Sequence, residues 1–310
     1  TVANMVDYVV ETLTVLDQEG KVRPMLAESW KVSPDGLEYT LKLRKGVTFH
    51  DGTAFDAKAV KWNLDRVKDP GVRVPIRAPY PIEKTDAVDV STVRVTLTRP
   101  SAPFISALSW TTAGIVSPTS ADKQGNDYKN IVHPVGTGPY AFKERKRGES
   151  ITVTKHDKYW GRKPYYDTVL FRIVPEEATR ESLLLAGQVE LIILPPLADL
   201  PALSRNPGVK VLLAPSDRTI FIAFNTTKAP FSDARVRQAL NYAVDKTAII
   251  NSILFGAADA MDAPMASCLF GYFKVGTYEF DPAKAKQLLT AAGVKPGTKI
   301  SFIHPTGRYT

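Results

Sequence analysis

Ser33-Pro-Asp-Gly-Leu-Glu-Tyr-Thr-Leu-Lys-Leu-Arg-Lys-Gly-Val-Thr-Phe-His-Asp-Gly52 sets a strand between two reversals. Ser33-Pro34-Asp35-Gly36 has proline and glycine where a tight turn needs them, so Trp30–Ser33 and Glu38–Arg44 are expected to form a hairpin. Along the second arm Tyr39, Leu41 and Leu43 share one face, and Thr40, Lys42 and Arg44 share the other. That alternation predicts one buried and one wet face. A second reversal follows at Phe49-His50-Asp51-Gly52. Beyond it Asp56 is placed to cap a helix whose Val60, Trp62, Asn63, Leu64 and Val67 form a stripe.

Working outward, further strands are expected at Val93–Leu97, Gly114–Val116, Ile151–Thr154, Val169–Val174 and Thr219–Phe224. Another is expected in the apolar run ending at Leu194-Pro195-Pro196. The longest helix is expected from about Asp233 to about Leu254. Towards the start, Val2, Met5, Val6, Val9, Val10 and Leu13 recur at helical spacing. Near the end, Asp281-Pro282 opens a helix with Ala283, Ala285, Leu288 and Leu289 on one face. Gly293 closes it, and a strand over Lys299–Ile303 is expected. Both ends read as a chain cut into. Strands and helices interleave without a strict βαβ rhythm, so the expected class is α/β with mixed sheets.

The chain has 310 residues, of which 44% are hydrophobic and 23% charged, enough for a substantial core and roughly two domains. No run approaches the roughly 18 apolar residues of a membrane span. The single cysteine, Cys268, excludes an internal disulfide and any multi-cysteine metal site. His50, His133, His156 and His304 stand at no metal-ligand spacing, so no metal and no cofactor is expected. Nucleophile-elbow and phosphate-loop motifs are absent. Gly136-Thr-Gly138-Pro-Tyr140 is read as a structural turn, because Pro139 follows its second glycine. His50-Asp51 is set aside as an acid–base pair, since neighbours on an extended chain point apart. The formal charge is +8. Its densest run, Lys143-Glu-Arg-Lys-Arg147, is read as the wet edge of a hairpin, so nucleic acid is not an expected partner.

Pro24-Met-Leu-Ala-Glu-Ser-Trp30 and the Ser33–Gly52 stretch together resemble the signature of bacterial extracellular solute-binding proteins of the peptide/nickel class, family 5, which serve ABC importers. Thr98-Arg-Pro-Ser-Ala-Pro-Phe104, Pro134-Val-Gly-Thr-Gly-Pro-Tyr140, Tyr159-Trp160 with Lys163-Pro164, and Pro230-Phe-Ser-Asp-Ala-Arg-Val-Arg-Gln-Ala-Leu-Asn-Tyr-Ala-Val-Asp-Lys246 follow in the family's order. Asp281-Pro-Ala-Lys-Ala-Lys-Gln-Leu-Leu-Thr-Ala-Ala-Gly293 is similar to the helix that leads into the family's second lobe.

The resemblance implies a type II periplasmic-binding-protein-like fold that traps ligand between two lobes. It implies residues 1–35 and 167–260 as the main domain of the first lobe, 36–166 as an inserted domain, and 261–310 as the crossover into a largely absent second lobe. It implies a non-enzymatic role: capture of a small solute, foremost a short peptide, for a membrane permease driven by ATPase subunits. Opines, oligosaccharides and other metabolites stay open as ligands. A chemoreceptor or chaperone-like peptide binder on the same fold is the alternative, and an α/β enzyme ranks last. The family also implies a monomer in the periplasm or on the outer cell surface, meeting the membrane only through the permease or an N-terminal anchor. First-lobe ligand contacts are expected at Trp110, Thr111, Thr112, Leu194, Phe224 and Asn225. Gly114 stands near the position where nickel-chelate members carry an arginine, which weakens a metal-chelate ligand.

Overall fold

The computed structural model describes residues 3–72, 80–121, 123, 126, 129–269 and 271–303, with side chains from residue 6 onward. Val2, the Met5 side chain and His304 lie outside the described residues. The chain divides into two compact units, 1–175 and 176–310. Position 35, where a domain border was expected, falls in the turn of a hairpin inside the first unit.

The first unit starts with α1 (Ala3–Val9), β1 (Thr14–Leu16), β2 (Val22–Pro24), β3 (Ala27–Val32) and β4 (Glu38–Leu43). It continues with α2 (Ala57–Lys68), β5 (Ile82–Asp89), β6 (Thr92–Leu97) and the short α3 (Phe104–Ala107). It ends with β7 (Tyr140–Lys146), β8 (Ser150–Lys155) and β9 (Thr168–Arg172). The β3-β4 hairpin forms as the turn chemistry dictates: Gly36 takes φ +71° and the Ser33 amide donates to Glu38 O at 2.9 Å. Strands β3-β4-β6-β5 make one antiparallel sheet.

Period-2 patterning decides which face of that sheet is dry. Tyr39, Leu41 and Leu43 of β4 are buried, and the register sets Leu41 opposite Val93 and Tyr39 opposite Val95. Each such buried side chain contributes about 1.5–3 kcal/mol. α2 lays Val60 and Leu64 into the same cluster, joined by Leu13, Leu26, Phe49, Phe104, Leu108 and Ile115. Asp56 caps α2 as expected, accepting the Ala59 amide at 2.8 Å. A second core gathers Val9, Val10, Val116, Tyr140, Ile151 and Val153 against the antiparallel sheet β7-β8-β9. Asn63 on α2 ties the two regions, donating to Val116 O at 2.8 Å and accepting its amide at 3.1 Å.

The second unit contains α4 (Glu177–Leu185), α5 (Leu200–Arg205), α6 (Ala234–Tyr242), α7 (Lys246–Ser252) and α8 (Pro282–Ala291). α6 packs on α8 through Val236, Ala239 and Ala285, and Arg235 donates to Ala291 O at 2.7 Å. Asp281 caps α8 on the Lys284 amide at 2.9 Å, and Gly293 ends it at φ +71°.

Several expectations are corrected here. The single helix over 233–254 is two helices, because Asp245 leaves the helical conformation and accepts the Ala248 amide at 2.8 Å. Aspartate competes for backbone amides and is better placed at a cap than inside a helix. No strand is assigned among the described residues of the second unit, against the expectation at 219–224, 299–303 and before Pro195. A strand is defined by its ladder, and Ile220, Phe221 and Ile222 stand 67%, 70% and 57% exposed without one. Leu194 interrupts its own extended run at φ +54°. Gly114–Val116 contributes only an isolated antiparallel bridge between Glu11 and Ile115.

Candidate functional site

Of the six expected ligand contacts, Trp110, Thr111 and Thr112 stand together in the first unit. Three residues after α3, Trp110 precedes a 3-10 turn, Thr111–Ala113, and its carbonyl accepts the Ala113 amide at 2.7 Å. The hydroxyl of Thr111 donates to Asp7 Oδ1 at 2.8 Å, while that of Thr112 pairs with the Tyr80 hydroxyl at 3.2 Å. These bonds fix the turn, and Trp110 remains 46% exposed. Gly114 cannot carry a side chain there: a Cβ would lie 2.5 Å from Val10 Cγ1 and 2.9 Å from Thr111 O.

The other three lie in the second unit. Leu194 is 66% exposed, and its carbonyl accepts Arg180 Nη2 at 2.7 Å. Phe224 stacks on Phe231 at a centroid separation of 5.3 Å. Asn225 folds a local turn, its Oδ1 accepting the Thr227 amide at 3.1 Å and hydroxyl at 2.7 Å. Phe224 and Asn225 are thus engaged within their own segment.

Beneath the Trp110 turn the chain buries a carboxylate. Glu11 follows α1, is 3% exposed, and its carbonyl accepts the Ile115 amide at 2.8 Å. Its carboxylate accepts Thr137 Oγ1 at 2.7 Å, Tyr159 OH at 2.7 Å and Trp160 Nε1 at 2.8 Å. Arg44 lies 4.3 Å over the Trp160 ring. Burial pushes the Glu11 carboxyl above its ordinary pKa, with the three donors and Arg44 opposing. Asp51 faces another way, its carboxylate accepting Ser117, Thr119 and Thr53 hydroxyls at 2.7, 2.9 and 2.6 Å. Although buried enough to be penalised, it is held below the usual carboxylate range by those donors. Adjacent His50 turns instead to the 136–138 backbone, so the two side chains form no acid–base pair.

The family model described as "Bacterial extracellular solute-binding proteins, family 5 Middle" matches residues 21–310. The chain belongs to this family. The family 5 chain is 37% identical over 303 residues to Heme-binding protein A of Haemophilus influenzae, across 91% of itself and 55% of that protein. It is 37% identical over 283 residues to the glutathione-binding protein GsiB of Pectobacterium atrosepticum, with the same coverage of 91% and 55%. It thus spans about half the length of the curated relatives it matches. Among solved structures it superposes on the ABC transporter-associated periplasmic binding protein DppA from Helicobacter pylori, in complex with peptide STSA. The TM-score is 0.76 at 32% identity, over 93% of this chain and 60% of that one.

The fold of the family 5 chain is therefore the mixed-sheet α/β, type II periplasmic-binding-protein-like class. Thr137, Tyr159 and Trp160 stand in the motifs quoted above, but Glu11 and its joining to them were not foreseen from the sequence. Its signal was present: one acid inside Val9-Val10-Glu11-Thr12-Leu13, a stretch otherwise suited to burial.

Proposed function

We propose that the family 5 chain belongs to the solute-binding component of an ABC importer, which captures a small solute, foremost a short peptide, and hands it to a membrane permease driven by ATPase subunits. The observation that carries this reading is the family match over residues 21–310. A peptide-bound structure and the glutathione-binding relatives, glutathione being itself a tripeptide, support a short peptide as the ligand class. In this reading the protein acts by binding, not catalysis, as a monomer in the periplasm or on the outer cell surface. Only a ligand that touches both lobes favours their closure.

In the first unit Trp110 offers exposed apolar surface to ligand while Thr111 and Thr112 hold its turn; in the second unit Leu194 is the exposed apolar candidate, and Phe224 and Asn225 hold their own segment. Native mass spectrometry of the full-length protein, purified without denaturation, is expected to show a bound short peptide. X-ray scattering is expected to show compaction when that peptide is returned to the emptied protein. No retained mass, together with no binding from a pool of di-, tri- and tetrapeptides, overturns the peptide assignment. Trp110→Ala is expected to weaken peptide binding about tenfold or more, because an aromatic anchor is lost from a site whose backbone is independently braced. Unchanged affinity, measured by calorimetry, removes Trp110 from the contact set.

A further inference from the structure

His50 is held at both ring nitrogens by backbone groups whose roles are fixed. The Gly136 amide can only donate, and it meets Nδ1 at 3.3 Å. The Gly138 carbonyl can only accept, and it meets Nε2 at 2.9 Å. Only the neutral ring with its proton on Nε2 satisfies both. A second proton, on Nδ1, would set donor against donor. The His50 amide adds a third tie, to Gly136 O at 2.9 Å.

A second histidine completes the arrangement. The His156 ring meets the His50 ring edge-to-face at a centroid distance of 4.8 Å, and its own amide donates to Pro139 O at 2.9 Å. His156 Nε2 is buried with no hydrogen-bond partner among the described residues. Protonating His50 would therefore place a cation against the His156 ring and set its Nδ1 against an amide donor, with no acceptor for the new proton. The segment these rings clasp is itself a fastening: the Gly138 amide donates to Val9 O at 3.1 Å, and Thr137 Oγ1 to Glu11 at 2.7 Å.

We propose that His50 and His156 form an acid-sensitive latch, which holds residues 136–139 against the segment after α1 while both rings are neutral and releases it when they are protonated. The charged and titratable groups around the latch are few. Asp51 shares the His50 reversal and favours protonation, but its carboxylate is turned to Ser117 and Thr119. Beside His156, Asp157 favours its charge and Lys158 opposes it. From the segment after α1, Glu11 reaches the clasped residues through Thr137. Burial outweighs these, lowering the His50 pKa from 6.5 to about 4 and lowering that of His156.

The sign follows from the depressed value. Above about pH 6.5 the ring is neutral folded or unfolded and its contribution is whole. As pH falls from 6.5 towards 4 the unfolded chain takes up the proton first and stability is lost. The folding equilibrium should fall by on the order of a hundredfold across that window from His50. His50→Gln retains one donor and one acceptor and does not titrate, so its urea midpoint should show a much shallower acid slope than the unmodified chain. In the unmodified chain, the protection factors of the 136 and 138 amides, taken relative to the slower intrinsic exchange in acid, should fall between pH 6.5 and 4.5 before global unfolding. Equal acid slopes for both proteins overturn the latch. Should His50→Gln fail to fold, the unmodified chain decides alone: a His50 ring titrating at 6.5 or above by NMR, or protection factors at amides 136 and 138 that do not change between pH 6.5 and 4.5, overturns it equally.

Discussion

Gly136→Ala is expected to destabilise the first unit by about 3 kcal/mol or more, the upper range for overpacking. A Cβ at this position would overlap the Val9 carbonyl oxygen and lie 2.8 Å from Val10 Cα, and these backbone atoms have no rotamer through which to yield. Gly148→Ala is the matched control. Gly148 is in the left-handed conformation at φ +80° with open space around it, so alanine there pays only backbone strain, about 1 kcal/mol. Urea denaturation of both variants measures the difference. Equal losses would show that close approach at 136 carries no special weight.

Glu11→Leu is the second large effect, expected to cost about 3–5 kcal/mol. It leaves the Thr137, Tyr159 and Trp160 donors without their shared acceptor, each orphan costing about 1–3 kcal/mol, with some relief as hydroxyls rotate. Glu11→Gln should lose far less, about 1 kcal/mol, because its amide oxygen can still accept Trp160 Nε1 and its NH2 can donate to the Tyr159 oxygen. The pH dependence separates charge from shape. Burial raises the folded pKa of Glu11 above 4.5, so its ionisation penalty is absent below that value and grows as pH rises through the folded pKa. The penalty of Glu11→Gln measured by denaturation should therefore shrink from pH 4 to pH 7. Glutamine as damaging as leucine would sink the assignment of separate donors to one carboxylate.

The parts legible in the sequence are those set by local rules. The β3-β4 hairpin follows from period 2 and from Ser33-Pro-Asp-Gly36, and α2 and α8 follow from caps at Asp56 and Asp281. The cap at Asp245 was equally local, yet apolar spacing continued across it and concealed the break between α6 and α7. Non-local facts were not legible. Whether Thr219–Phe224 is a strand depends on a neighbouring ladder, not on its own apolar residues. The joining of Glu11 to Thr137, Tyr159 and Trp160 spans more than a hundred positions and has no periodicity. The candidate site shows the same division. The family resemblance pointed to Trp110–Thr112 as ligand contacts, but only the structure shows them as a turn whose hydroxyls are committed to Asp7 and Tyr80, with the Trp110 residue left exposed.

Among the described residues no further strand pairs with the sheet β7-β8-β9, so β7 is one of its edges. Its outer half, Lys143-Glu-Arg-Lys146, is exposed, with Arg147 continuing the charge into the turn. An open edge invites a strand from another copy to add on, at a spacing of about 4.8 Å. Two copies meeting antiparallel along β7 would bring these cationic runs together, with only Glu144 to offset them, and like charges set opposite one another oppose pairing. The basic run, which leaves each copy with a net positive edge, is therefore expected to oppose self-templated stacking along this rim. Neutralising Lys143, Arg145 and Lys146 together would lower the barrier to fibre growth without touching either core.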